Sequence, residues 1–242
     1  MITSNLRRTV TAVALLATLG MLGMALPSDA FKYRPPADRQ RPNGRQGAAT
    51  RGPCVRDQFV FAPLLPTSNY GQTVAAYPTL HWYQANHTFS WMRFRLYNTQ
   101  NQTPESYPIY ETTLQLQNNT PLVSLKLPDQ AGFPALEVGR EYLWKVTLIC
   151  SQGGPDDDSA DGSQQTIQGW LTRSAPSPTL QSQLRQTQRP YEVYAEEGFW
   201  YDAVSDLATR RQQQPQDPQL AADWQALLKE TALASTPVAT QP

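Results

Sequence analysis

The strongest constraint on this chain is the run from Glu141 to Ser151, in which Tyr142, Trp144, Val146, Leu148 and Cys150 alternate with Leu143, Lys145, Thr147 and Ile149. A period of two gathers each set on one face of an extended strand, whereas a helix would scatter both around its surface. The same alternation recurs in short bursts, which predicts strands over 57–61, 78–84, 88–98, 107–117, 122–127, 141–151 and 166–173. Pro, Gly and Asn clusters separate them, as turns require. Seven such strands between residues 54 and 174 suit an immunoglobulin-like or fibronectin-like antiparallel β-sandwich. Leu136-x-x-Gly139-x-x-Tyr142 stands at the entry of the sixth strand. That spacing resembles a tyrosine corner, in which the hydroxyl bonds back to the chain a few residues upstream. Trp144 and Cys150 are then expected to face the core.

Beyond Ser177-Pro178 the period changes to that of helices. Leu180 and Leu184 mark a first segment, Pro190 opens a second and Gly198 ends it. Trp200, Ala203, Val204 and Leu207 mark a third, and Asp217-Pro218 caps a fourth that carries Leu220, Trp224, Leu227 and Leu228. Tyr194, Gly198, Ala203, Leu207 and Pro215 stand at separations resembling half a tetratricopeptide repeat, with Arg210 where that repeat prefers Ala. Residues 178–231 therefore read as a short tetratricopeptide-like hairpin region docked on the sandwich or on a partner, followed by a disordered tail at 232–242. Trp200 is expected to pack with Ala203, Val204 and Leu207, and Tyr201 to lie nearer the rim.

The amino-terminal residues address the chain to a compartment. Arg7 and Arg8 precede an uncharged run from Thr9 to Leu26, then Pro27 and Ser28-Asp29-Ala30. This is the pattern of a signal peptide at 1–30 cut after Ala30, although the run reaches the lower limit for spanning a bilayer. Gly20, Gly23 and Pro27 favour cleavage, and no cysteine follows that would carry a lipid. Periplasm, cell envelope or extracellular space is expected, with no transmembrane segment left after cleavage. In such a compartment Cys54 and Cys150, the only two cysteines, are expected to form one disulfide. Lys32, Arg34, Arg39, Arg41, Arg45 and Arg51 against the single Asp38 make residues 31–53 a disordered basic arm rich in Pro, Arg and Gln.

Chemistry is sparse. Lys+Arg and Asp+Glu are equal at 20 each, so no nucleic acid partner is expected. His81 and His87 are the only near-neutral bases, and no G-x-S-x-G, H-E-x-x-H, P-loop or G-x-G-x-x-G spacing occurs. Both histidines read as structural or solvated, and no catalytic residue and no cofactor is assigned. Asp156, Asp158 and Asp161 form a weak calcium candidate, because Ala160 interrupts the alternation of oxygen ligands. Three N-x-T sequons, at Asn86, Asn101 and Asn118, read as polar turns. Interaction candidates are an aromatic-cationic face of Trp91, Arg93, Arg95 and Tyr97, opposite Met92, Phe94 and Leu96, and in the tail Trp200, Tyr201, Arg210 and Arg211. A non-enzymatic module that binds an envelope protein is the first functional reading. A carbohydrate-binding or wall-associated module, with polysaccharide as ligand, is the second.

Several segments together carry a family resemblance: Arg51-Gly52-Pro53-Cys54, Asn69-Tyr70-Gly71-Gln72-Thr73 with Tyr77-Pro78-Thr79, the strand ending at Cys150, Gly169-Trp170, Tyr194 to Ala203, and Asp223-Trp224. They resemble an exported cyanobacterial family, the domain of unknown function nine-two-eight, over residues 50 to 230. Gly-Phe-Trp-Tyr-Asp-Ala at 198–203 is the most specific element. The resemblance implies an extracytoplasmic location and supplies no catalytic residues. Relatives place Pro soon after the pair matching Trp82-Tyr83, where this chain has Gln84-Ala85, so a different turn after the second strand is expected.

Overall fold

The computed structural model describes residues 31–36, 52–99, 107–116, 121–130, 132–151, 154–156, 164–234 and 236. The expected signal at 1–30, the arm from 37 to 51, and Asp158 and Asp161 lie outside the described residues. Among the described residues the chain forms eight strands and then four helices. The strands are β1 (Val55–Pro63), β2 (Tyr70–Thr73), β3 (Thr79–His87), β4 (Trp91–Asn98), β5 (Tyr110–Gln115), β6 (Leu122–Lys126), β7 (Glu141–Ile149) and β8 (Gln164–Arg173). The helices are α1 (Pro178–Gln186), α2 (Pro190–Glu196), α3 (Trp200–Gln213) and α4 (Pro218–Lys229).

The strands build two sheets, one ordered β1-β3-β6 and the other β2-β8-β7-β4-β5. Alternation along β4 and β7 does what the sequence requires of it. Met92, Phe94 and Leu96 on β4 and Tyr142, Trp144, Val146 and Leu148 on β7 are all buried in one apolar cluster, with β4 and β7 antiparallel in the register Leu96 to Trp144 and Phe94 to Val146. The disulfide forms between Cys54, just before β1, and Cys150, just after β7, with Cα atoms 5.9 Å apart. It therefore ties the smaller sheet to the larger. The Tyr142 hydroxyl accepts a bond of 2.9 Å from the Glu137 backbone N–H, which pins the entry of β7 as the sequence spacing predicts.

Two expectations about the sandwich are corrected. The sheet is not antiparallel throughout, because β2 pairs parallel with β8 in the register Tyr70 to Trp170 and Gln72 to Thr172. Strand β2 escapes a sequence reading since four residues with a central Gly show no period. It exists because β8 offers an edge and α3 covers it. No turn falls at Gln84-Ala85, where β3 runs on to His87 because Ala85 still pairs with Val60 of β1. A bulge between Val55 and Val60 absorbs the mismatch.

Two of the four helices, α1 and α4, start at side-chain caps. Ser177 accepts at its hydroxyl from the Leu180 N–H at 3.0 Å, and the Asp217 carboxylate accepts from Gln219 N–H at 2.8 Å and Leu220 N–H at 3.3 Å. Each is followed by Pro at the first helical position, which has no N–H to leave unsatisfied. The apolar faces of α3 and α4 join the same cluster as the sandwich core. Residues 31–36 and Leu233 correct the expectation of disordered ends: Phe31, Tyr33 and Leu233 are buried in that cluster. Bulky apolar side chains outweigh the basic composition around them. No helix among the described residues is long and apolar enough to cross a membrane.

Candidate functional site

The seam between sandwich and helices is assembled from Gly71 and the aromatic pair that opens α3. Gly71 on β2 leaves no room for a side chain, since a Cβ there would lie 2.9 Å from Tyr201 Cε2 and 3.1 Å from Trp200 Cβ. Gly169 on β8 is as tightly enclosed, by Leu65 and by the Trp144 ring at 2.6 Å. The Trp200 indole N–H donates to the Leu64 carbonyl at 2.9 Å. Tyr201 is 2% exposed, so its expected place at the rim is corrected. Its hydroxyl accepts from Trp144 Nε1 at 2.8 Å and donates to the Trp170 carbonyl at 3.0 Å. The reason is tertiary: β2 brings Gly71 under α3, which draws the ring inward, and burial then pushes its phenol well above the ordinary range.

The two half-buried arginines of α3 lie against the neighbouring helices. Arg210 Nε pairs with Asp206 at 2.6 Å, and its guanidinium lies 6.0 Å from the Tyr191 ring centroid. Arg211 lies 4.8 Å from that of Trp224. Trp200, Tyr201, Arg210 and Arg211 thus hold the helical layer to itself and to the sandwich, and the structure does not bring them together as a contact surface.

Trp91, Arg93, Arg95 and Tyr97 do share one face of β4, on the outside of the larger sheet. Across the ladder Arg93 stands beside Thr147 and Thr113, and Arg95 beside Lys145 and Glu111. Trp91 is half-buried, while Tyr97 is buried with Lys145 Nζ 5.6 Å from its ring centroid. Tyr97 is therefore not an exposed aromatic platform: its strand is central, and Leu143 adjoins it in register. The cations are answered as well. Arg95 Nε meets Glu111 at 2.6 Å, and Arg93 meets Asp156 and the Pro155 carbonyl, the latter at 3.0 Å. Asp156, the one described member of the calcium candidate, is thus an ion-pair partner, and no group of His, Cys, Asp or Glu among the described residues is placed to hold a metal.

One constellation has no motif to announce it. His81 on β3 is buried, with Nδ1 2.8 Å from Ser124 Oγ on β6 and Nε2 3.0 Å from Ser205 Oγ on α3. Ser205 gives its single hydroxyl proton to the Tyr201 carbonyl at 2.7 Å, so Nε2 carries the ring hydrogen and Nδ1 accepts from Ser124. Desolvation lowers the ring from 6.5 to about 4, which keeps it neutral and makes it a weak base. Two strands of the smaller sheet and a helix supply these groups, so sequence spacing could not unite them. Nearby on α3, Asp202 accepts from the Val74 N–H at 3.0 Å, and burial raises its carboxyl to about 6.

These features define a class: a mainly β protein of two sheets, cross-linked by one disulfide and capped by a carboxy-terminal helical layer. The chain belongs to the family described as Domain of Unknown Function (DUF928), whose model matches residues 46–242. Comparison with curated proteins gives no match.

Proposed function

We propose that this is an exported, non-enzymatic envelope protein that binds another protein through the outer face of β4. The observation that carries the reading is the contrast between the two candidate surfaces. The tail aromatics Trp200 and Tyr201 are buried in the seam, whereas Trp91 stays half-buried on one face with Arg93 and Arg95, and Trp and Arg side chains dominate interface energies. The signal-like amino terminus and the disulfide support export, through periplasmic or extracellular oxidation. The order β1-β3-β6 against β2-β8-β7-β4-β5 and the Tyr142 corner support an immunoglobulin- or fibronectin-like sandwich. The α2 and α3 pair around Gly198 supports a tetratricopeptide-like hairpin. Neutral His81, without a carboxylate to orient it, favours binding over catalysis.

Polysaccharide is the second ligand class, favoured by the hydroxyl and amide side chains of Thr147, Thr166 and Gln168, which lie on the same face in the register of Arg93 and Arg95. Wild-type protein and the Trp91→Ala/Arg95→Glu variant are to be passed over envelope extract and over immobilised wall polysaccharide. Capture of a discrete protein by the wild type alone supports the first reading. Retention on polysaccharide alone supports the second, and equal behaviour of both proteins removes the β4 face from consideration.

A further inference from the structure

Residues 31–36, Phe-Lys-Tyr-Arg-Pro-Pro, belong to no strand or helix, yet they are docked. Burial alternates along them: Phe31 and Tyr33 are buried, while Lys32, Arg34 and Pro35 are exposed. This is the pattern of an extended peptide lying on a surface with every second side chain pointing in. The Tyr33 ring meets Trp200 edge-on, with centroids 4.7 Å apart and planes at 72°. The Arg34 N–H donates to the Ala195 carbonyl at the end of α2, at 3.1 Å. Gly198, at φ 84°, makes room for the next step of the peptide: a Cβ there would lie 3.1 Å from the Arg34 carbonyl oxygen and 3.6 Å from the Pro36 ring. The basic Lys32 and Arg34 flank a bond made one residue before Glu196 and Glu197, so the charges of peptide and helix end are opposite.

Fifteen residues, 37–51, separate this peptide from Gly52. At about 3.3–3.6 Å per extended residue they reach roughly 50 Å, enough to deliver the peptide to its own chain or to a neighbour. Among the described residues one backbone bond, Arg34 N–H to the Ala195 carbonyl, and two buried aromatic side chains hold it.

We infer that the surface formed by Ala195, Gly198 and Trp200 is a peptide-binding cleft, and that residues 31–36 are its resident ligand, exchangeable with the same segment of a second copy. The cleft takes an extended peptide with aromatics at alternate positions, a basic residue between and after them, and Pro-Pro to stiffen its end. It is separate from the β4 face and stands whether or not that face binds a partner. Tethering makes the resident copy a strong competitor, since a short linker maintains an effective concentration near the millimolar range.

The test uses the complete chain with a protease site substituted within 37–51 and cut after folding, so that every element remains present. A fluorescent peptide of residues 31–36 is then added. Saturable polarisation, release of the resident fragment, and at least about tenfold weaker binding of the Tyr33→Ala peptide are the expected results, since an edge-on aromatic pair and its buried area are lost. The body variant Gly198→Val should not bind the peptide. Uncut chains carrying two different tags should co-purify after mixing at high concentration. Failure of the cut, folded chain to take up the peptide overturns the inference, as does equal binding of the Tyr33→Ala peptide. Global unfolding when the fragment is diluted away would equally overturn it, because the segment would then be part of the core.

Discussion

Replacing Asp202 by Asn is expected to make this protein acid-labile, because two desolvated groups at the helix–sandwich seam, His81 and Asp202, oppose each other in the wild type. His81 titrates at about 4 when folded against 6.5 as a free side chain. Between those values the unfolded chain holds the proton and the folded chain does not. Its contribution to stability is therefore full above 6.5 and is lost as pH falls toward 4. At about 1.36 kcal/mol per pKa unit the loss is roughly 3 kcal/mol. Asp202 has the opposite sign, since burial raises it from 3.8 to about 6. Here the folded chain takes the proton first, so the contribution is full below 3.8 and is lost as pH rises through 6. Acidification across that window restores roughly 3 kcal/mol. The two nearly cancel, and the wild type should be almost level where His81 alone would make it fall. Asn at 202 keeps a side-chain oxygen for the Val74 N–H but cannot titrate. Urea unfolding followed by Trp fluorescence at about pH 7, 5.5 and 4, with the disulfide intact, reads the difference. Carboxylates common to both proteins, including Asp206 one turn away, largely drop out of that comparison. The variant should lose about 3 kcal/mol more than the wild type between pH 7 and 4. Parallel pH profiles would refute the reasoning.

Tyr201→Phe should lower stability by roughly 2–4 kcal/mol, because it leaves the fully buried Trp144 N–H and the Trp170 carbonyl without the hydroxyl between them; a chemical-denaturation midpoint unchanged from wild type would remove that bridge. Gly169→Ala should prevent folding or expression of soluble protein, since its methyl group would occupy the space of Leu65 and the Trp144 ring, and a native-like melting curve is the contrary result. Reduction of the Cys54–Cys150 bridge, which spans 96 positions, should cost up to about 4–5 kcal/mol, read as the shift between unfolding curves with and without reductant. Tyr142→Phe should cost about 1 kcal/mol, since the Glu137 N–H it leaves is near solvent.

The alternating strands were legible in the sequence because burial of one face imposes a period that turns cannot hide. Trp144 inside, the Tyr142 corner and the Asp217 cap all followed from local rules, and the disulfide followed from an even cysteine count together with the expected signal. Local pattern failed where a residue's environment comes from elsewhere in the chain. Strand β2 is four residues whose structure is conferred by β8 and α3. Helical spacing puts Tyr201, one position after Trp200, at the rim, but Gly71 lets α3 close on β2 and both rings are buried. Phe31 and Tyr33 lie in a basic stretch whose composition reads as solvated, and only the meeting of α2 and α3 creates the surface that Tyr33, Arg34 and Pro36 touch. His81, Ser124 and Ser205 come from positions far apart in the chain and form one hydrogen-bonded group. Periodicity and capping are properties of neighbours in sequence, so the sequence by itself determined the elements, their caps and the inward faces. Close approach of backbones, desolvation and the pairing of distant polar groups are properties of neighbours in space, and only the tertiary structure decided them.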